Sequence, residues 1–268
     1  MYHAYWGLNK PPFPSGPDRE LFHEGVAQRE ALARLRFLIA HRRRLGLVVG
    51  DVGHGKSLLL DVFAAQCRTA GYAVANVDPL GLSTREFYWQ LGTQLQARVR
   101  VEDDLVRLFR QTSDRINENM LEGRQTIVML DDLEQAGPDL QNHVHRLLRT
   151  EAANTGRLTI IAATDTSQRM RLTTPLRQLC ELRIELMPWD ELDTVGYLQM
   201  ALFAAGAERP LFADGAISEL HQLSEGVPRR INRLADFALL AGSNKELDTI
   251  DAETVREASE ATGPTSLV

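Results

Sequence analysis

Apolar residues along the chain follow two rhythms, and the switch between them divides it. Up to about residue 187, short apolar runs alternate with segments of helical period; beyond Pro188 only the helical period is left. The runs are Leu47–Val49, Tyr72–Val77, Thr126–Leu130, Leu158–Thr164 and Leu182–Leu186. Their nearly unbroken apolarity predicts strands buried on both faces, as in a parallel sheet. Between them, apolar residues three and four apart predict helices over Gln28–Ile39, Ser57–Ala70, Asp103–Leu121 and Pro138–Ala153. One more opens at the capping box Ser83-Thr84-Arg85-Glu86 and runs to about Val99. Strands alternating with helices predict a right-handed parallel sheet flanked by helices. Glu191–Ala205, Ala213–Ser224, Arg229–Ala241 and Ala252–Ala261 then predict an all-helical second domain. The division expected is an α/β domain over residues 1–188 and a helical one over 189–268. Tyr2–Phe22 fits neither rhythm: it has too many prolines for regular structure and too many aromatics for a free tail, so it is expected to pack along the core of the first domain. Gly263–Val268 is expected to fray.

At 268 residues, 44% apolar and 25% charged, the chain has an ordinary globular make-up, enough for a core domain plus a small one. A net charge of -6 argues against a surface that binds nucleic acid throughout and leaves room for a local basic patch. The positive charge is almost all arginine. The run His41-Arg42-Arg43-Arg44 ends the first long helix, where cations suit the helix dipole; a solvated helix end and a contact with nucleic acid or an acidic partner both fit it. Cys67 and Cys180 sit in apolar, helix-like surroundings without metal-ligand spacing and read as small buried hydrophobes in a reducing compartment. No basic-then-apolar leader follows Met1, and no run approaches the roughly 18 apolar residues of a membrane span. The expectation is a soluble, cytoplasmic protein without membrane insertion.

The first apolar run breaks into glycines. Gly50-Asp51-Val52-Gly53-His54-Gly55-Lys56-Ser57 is G-x-x-x-x-G-K-[ST], a Walker A loop, lying between a strand and a helix as that motif requires. Its glycines let successive N–H groups point into one hollow, which the N-terminus of the next helix completes as an anion site. Gly50, Asp51, Val52, Gly53, His54, Gly55, Lys56, Ser57 and Leu58 are therefore the candidate nucleotide-binding stretch. Lys56 is assigned to the β- and γ-phosphates of ATP and the Ser57 hydroxyl to Mg²⁺, while His54 fills a variable position and tunes packing.

A triphosphate site needs a metal partner and a carboxylate to place the attacking water. Thr126–Leu130 ends in Asp131-Asp132, the form of a Walker B strand, with the acids at the carboxyl end where open α/β sheets bind ligands. Asp131 is assigned to Mg²⁺ through a water and Asp132 to the nucleophilic water, with Glu134 its substitute if the strand ends later. Thr164, at the tip of another strand, is a candidate to bond that water or the γ-phosphate. Arg177, in Thr174-Pro175-Leu176-Arg177, and Arg183 are alternative arginine fingers for a neighbouring subunit's nucleotide. Ser224-Glu225-Gly226-Val227-Pro228 opens a helix whose Arg229 or Arg230 could turn toward the γ-phosphate as two domains close.

Taken together, these motifs resemble the AAA+ ATPases of the general secretion pathway protein A (ExeA-type) family. The resemblance rests on Met1-Tyr2, Tyr5-Trp6-Gly7-Leu8, Pro12-Phe13, Pro17-Asp18 and Leu21-Phe22, then on the Walker A loop, Leu176-Arg177-Gln178-Leu179 and Gly226-Val227-Pro228-Arg229-Arg230-Ile231-Asn232, in that order. It implies a P-loop NTPase (AAA+) domain with a small C-terminal helical lid, nucleotide-dependent oligomers, and Arg229 in the sensor 2 role. It also implies kinship with the MuB- and TnsC-like transposition ATPases, which assemble on DNA. Two features depart from the family. Asp131-Asp132 stands where Asp-Glu is usual, which implies slow hydrolysis, and the long family members' membrane span and peptidoglycan-binding region have no counterpart here.

The leading expectation is an ATPase that binds Mg·ATP between subunits of a ring or filament and uses slow hydrolysis to reset an assembly of partners, ADP being the product. The alternatives are a DNA-organising regulator of the transposition kind, with Arg42–Arg44 facing phosphate, and a nucleotide-gated scaffold with little turnover. The protein partner is not written in the sequence.

Overall fold

The computed structural model describes residues 2–261; Met1 and residues 262–268, with the end expected to fray, lie outside the described residues. In chain order come α1 (Tyr2–Tyr5), one 3-10 turn at Arg19–Leu21, α2 (Val26–Ala40), β1 (Leu45–Val49), α3 (Lys56–Thr69) and β2 (Ala73–Val77). Then follow α4 (Thr84–Gln94), α5 (Leu105–Leu121), β3 (Thr126–Leu130), α6 (Pro138–Leu147), α7 (Glu151–Asn154), β4 (Leu158–Thr164), α8 (Thr174–Leu179) and β5 (Leu182–Glu185). The last four helices are α9 (Glu191–Ala204), α10 (Asp214–Ser224), α11 (Pro228–Asn244) and α12 (Ala252–Ala261). The chain divides into two compact units, Glu30–Val52 with Lys56–Leu186, and Met1–Arg29 with Gly53–Gly55 and Met187–Val268.

The first of these is the α/β unit. Its five strands are all parallel, in the order β2-β3-β4-β1-β5. Every residue of β1, β3 and β4 is buried, which is why their sequences read as apolar runs, whereas the edge strand β5 turns Arg183 and Glu185 outward. The register sets Val49 level with Thr164 and Leu130 level with Ala162. The loops after β1, β3 and β4 thus leave the same end of the sheet, the end where such folds take ligands. Phe87, Tyr88, Leu91, Leu108, Val144 and Leu147 belong to the core cluster that also contains β3 and β4 side chains. Each fully buried aliphatic or aromatic side chain contributes about 1.5–3 kcal/mol.

Two helices are shorter than the periodicity predicts. The Ser83 box forms as expected, with Glu86 N–H donating to Ser83 Oγ (3.3 Å) and Ser83 N–H to Glu86 Oε2 (2.8 Å), but α4 stops at Gln94 rather than near Val99. Gln96 takes φ +62°, and Ala97 N–H and Gln96 N–H close back onto the carbonyls of Gly92 (2.8 Å) and Thr93 (3.1 Å), a Schellman ending. The chain then folds over Gly92, where a Cβ would come within 2.7 Å of Val99. The helix expected over Pro138–Ala153 breaks at Thr150, whose hydroxyl donates to Leu147 O (2.7 Å) while its backbone is extended.

The second unit is helical, and it corrects one expectation. The N-terminal segment, expected with the α/β domain, groups with α9 to α12. Trp6, Leu8, Phe13 and Leu21 share a core with Tyr197, Leu198, Leu220, Ile231, Leu239 and Val255. Trp6 Nε1–H donates to Leu239 O (2.9 Å), Asn9 N–H to Ala205 O (2.8 Å), and a Cβ at Gly242 would lie 3.0 Å from the Trp6 ring. The aromatic segment thus enlarges the apolar core that the four helices share.

Candidate functional site

The phosphate loop is a curl that only glycine permits at two points, Gly53 (φ +91°) and Gly55 (φ +87°). Lys56 opens α3 and is buried, its ammonium donating to the carbonyls of Gly50 (2.8 Å) and Asp51 (3.3 Å). His54 is buried as well, as a packing residue would be. Ser57, one residue into α3, has its hydroxyl close enough to Asp131 to lower that acid's proton affinity. That contact brings the loop hydroxyl and the strand-end acid into one place.

Asp131 follows β3 directly, its N–H donating to Val77 O (3.1 Å) on β2 and its Oδ1 accepting from Asp132 N–H (3.2 Å). Burial raises its proton affinity; the nearby Ser57 hydroxyl works the other way, and the charges of Asp132 and Asp78 add to the rise. Asp132 turns the chain in the left-handed region (φ +43°, ψ +47°), a strained conformation that short polar residues tolerate best, and its side chain is half-buried.

At the tip of β4, Thr164 is fully buried and its hydroxyl donates to Asp165 O (3.4 Å). The carboxylate of the next residue, Asp165, was not among the expected site residues. Burial disfavours its ionisation, yet hydrogen bonds from the Ser167 hydroxyl and N–H and the charge of Lys56 hold its carboxyl below the ordinary range. Its place directly after a buried strand that ends in threonine was the available signal. Glu134, the expected substitute acid, is 3% exposed; Oε1 accepts from Asp165 N–H (2.9 Å) and Oε2 is buried without a hydrogen-bond partner.

The arginines differ in what they meet. Arg183 is paired with Glu185 on the edge strand (2.6 Å). Arg177, on α8, reaches Thr174 Oγ1 (3.1 Å) and Met170 Sδ, and its Nε is buried without a partner. In the helical unit, Arg229 N–H donates to Gly53 O (3.3 Å), and Arg230 pairs with Glu225 (2.5 Å). The run after α2 is largely spoken for: Arg43 (3.4 Å) and Arg44 (3.2 Å) both pair with Glu181, and Arg42 packs over Gly156.

Among the described residues no group of three or more His, Cys, Asp or Glu could hold a metal ion alone. Also among the described residues, no helix is long and apolar enough to cross a membrane.

A glycine-curled loop with a buried lysine after β1, and a carboxylate after β3 beside the loop serine, define the P-loop class. The AAA domain family matches residues 39–172, half of the 268 residues, and the chain belongs to that family. It is 28% identical over 253 residues to General secretion pathway protein A of Aeromonas hydrophila, a match that takes in 91% of this chain and 46% of that protein. The chain therefore spans about half the length of that relative. Solved structures with the same fold include Cdc6p from Pyrobaculum aerophilum (TM-score 0.72, 14% identity, 97% of this chain and 70% of that one). Others are the ORC1 protein of Aeropyrum pernix in complex with DNA (TM-score 0.66, 16% identity, 88% and 65%) and the RuvB Holliday junction branch migration motor of Thermotoga maritima (TM-score 0.60, 14% identity, 94% and 73%).

Proposed function

We propose that this AAA protein binds Mg·ATP at the phosphate loop and hydrolyses it slowly, and that binding and turnover drive the assembly of an oligomer which remodels a partner. The closeness of the Ser57 hydroxyl to Asp131, beside a glycine-curled loop with a buried Lys56, carries the reading, because it joins the two motifs that a triphosphate site needs. Ser57 and Asp131 are the residues that would hold a magnesium ion, which when bound would supply charge neutralisation at the phosphates. On binding, Lys56 exchanges its loop carbonyls for phosphate oxygens. Asp132 accepts the proton of the attacking water, and its short side chain in a strained turn supports a low rate. Thr164 and Asp165 line the same end of the sheet.

Arg177 is the better candidate for action on a neighbouring subunit's nucleotide, since Arg183 already has Glu185 as counter-charge. Arg229 keeps the sensor role implied by the resemblance to the secretion ATPases, supported by its backbone bond to Gly53. The DNA-organising alternative loses part of its support from Arg43 and Arg44, since Glu181 balances one of their two charges.

Size-exclusion chromatography with light scattering, run with and without Mg·ATP and duplex DNA beside a phosphate-release assay, tests the proposal. A nucleotide-dependent rise in mass with measurable turnover is expected. A mass that rises only with DNA, in a strongly salt-dependent way, would transfer the assignment to a DNA-organising regulator. Assembly without turnover at any protein concentration would leave a nucleotide-gated scaffold.

A further inference from the structure

The turn after β3 (residues 132–137) carries the acids, and the loop after β4 (residues 165–173) leads into the arginine helix α8. Among the described residues no backbone–backbone hydrogen bond joins these two segments. Side chains do so instead. Glu134 Oε1 accepts from Asp165 N–H (2.9 Å), and Gln135 Nε2–H donates to Gln168 Oε1 (3.2 Å). The third link is Gln141, in α6, which is 1% exposed. Its amide nitrogen donates to Ala136 O (3.0 Å) and Arg171 O (3.3 Å), with Leu133 O at 3.5 Å, and its Oε1 accepts from Thr173 N–H (2.7 Å). One buried side chain thus holds main-chain atoms on both sides, using both faces of its amide.

The far side of this clamp is the start of α8. Thr173 is the residue before its first turn, and Arg177 N–H donates to Thr173 O (3.1 Å). The Arg177 guanidinium has its Nε buried without a partner, while its terminal nitrogens lie at the surface, on Thr174 Oγ1 and Met170 Sδ, where an anion from outside can reach them. A shift of the acid turn therefore has a direct mechanical route, through Gln141, to the arginine.

We propose that Gln141 is a positioning residue for hydrolysis, coupling the acid turn that follows β3 to Arg177 so that nucleotide in one subunit sets the arginine offered to the next. It rests on the reading of the chain as an ATPase with Arg177 acting on a neighbour. Gln141 touches no reacting atom; its contribution is the fixed relation between the two segments. A neutral amide suits the task, since it can donate to carbonyls and accept an N–H at once, which neither a carboxylate nor an apolar residue does.

The test uses the full chain with Gln141→Leu, Gln141→Met as a second variant of similar volume, Arg177→Ala, and the Gln141→Leu/Arg177→Ala double variant. Nucleotide Kd, kcat and hydrogen exchange with Mg and a non-hydrolysable ATP analogue are measured on each. In the Gln141 variants kcat is expected to fall about tenfold, as the loss of one to two hydrogen bonds' worth of positioning implies, with Kd little changed. The double variant should be no slower than the slower single one, because both changes break one unit. In the wild type the analogue should alter exchange both in 50–58 and in 168–179; in the Gln141 variants only the first response should remain. Multiplying kcat losses, or a surviving 168–179 response, overturns the coupling. Failure of the ATPase reading shows separately, as no turnover in the wild type, and the exchange result still decides for or against the coupling.

Discussion

The phosphate loop and the loop after β4 leave neighbouring strands, and they differ in how far remote side chains hold them in shape. Residues 50–57 take their curl chiefly from within, by two glycines of positive φ and by the Lys56 ammonium on the carbonyls of Gly50 and Asp51, with outside ties only through backbone atoms, Gly50 N–H to Thr164 O and Arg229 N–H to Gly53 O. Residues 165–173 have turns of their own, closed by Ser167 on Asp165 and by Arg171 N–H on Gln168 O, and are tied down besides by side chains from outside, Glu134, Gln135 and Gln141. A loop closed on itself can be shaped for a ligand independently of its surroundings. A loop held by distant side chains instead carries the position of whatever holds it, and such a segment suits coupling better than binding.

The largest effect expected from this contrast is at Lys56. Its bonds are local, so Lys56→Ala leaves the fold in place and removes the only lysine of the loop. Affinity for Mg·ATP should drop by about 100-fold or more, the scale of losing one charged donor at a site of concentrated negative charge. A fluorescent-nucleotide titration measures it directly, and wild-type affinity in the variant would remove the phosphate-loop assignment altogether.

Next in size is Asp132→Asn. Asparagine tolerates the left-handed backbone as well as aspartate does, so the turn keeps its shape while the proton acceptor is lost. Turnover should fall by roughly 10²–10⁴-fold with binding kept, the range for a general base. If phosphate release continues at the wild-type rate, Asp132 is the wrong acid, and Glu134, with its unpartnered buried Oε2, becomes the one to test.

The same contrast explains what could be read from the sequence. The strand Leu158–Thr164 and the helix Ala252–Ala261 have the predicted bounds, because burial on both faces and a clear helical stripe are local patterns. Walker A and the acids after β3 were legible for a like reason: their spacing along the chain is their chemistry. What escaped depends on partners remote in sequence. Gln96 closes a helix because Val99 must fold over Gly92, and Trp6 belongs to the helical unit because its indole finds Leu239 O. Gln141 gives no signal at all, since its partners are four backbone groups that any residue type carries. Asp165 lies between these cases, visible in position and silent in role.

The smallest expected effect sharpens the comparison most, because it asks whether every tie to the second loop matters. The bond between Gln135 and Gln168 lies at the surface, where water replaces either partner at little cost, so Gln135→Ala should lose about 0.5–1 kcal/mol at most. Turnover should then stay within about fivefold of wild type, with hydrogen exchange in 168–179 still responding to nucleotide. Buried Gln141 has no water to stand in for it, which is the physical reason for expecting the two glutamines to differ. Equal losses at Gln135 and Gln141 would mean that the second loop depends on the sum of its ties, and that burial gives Gln141 no special part in holding it.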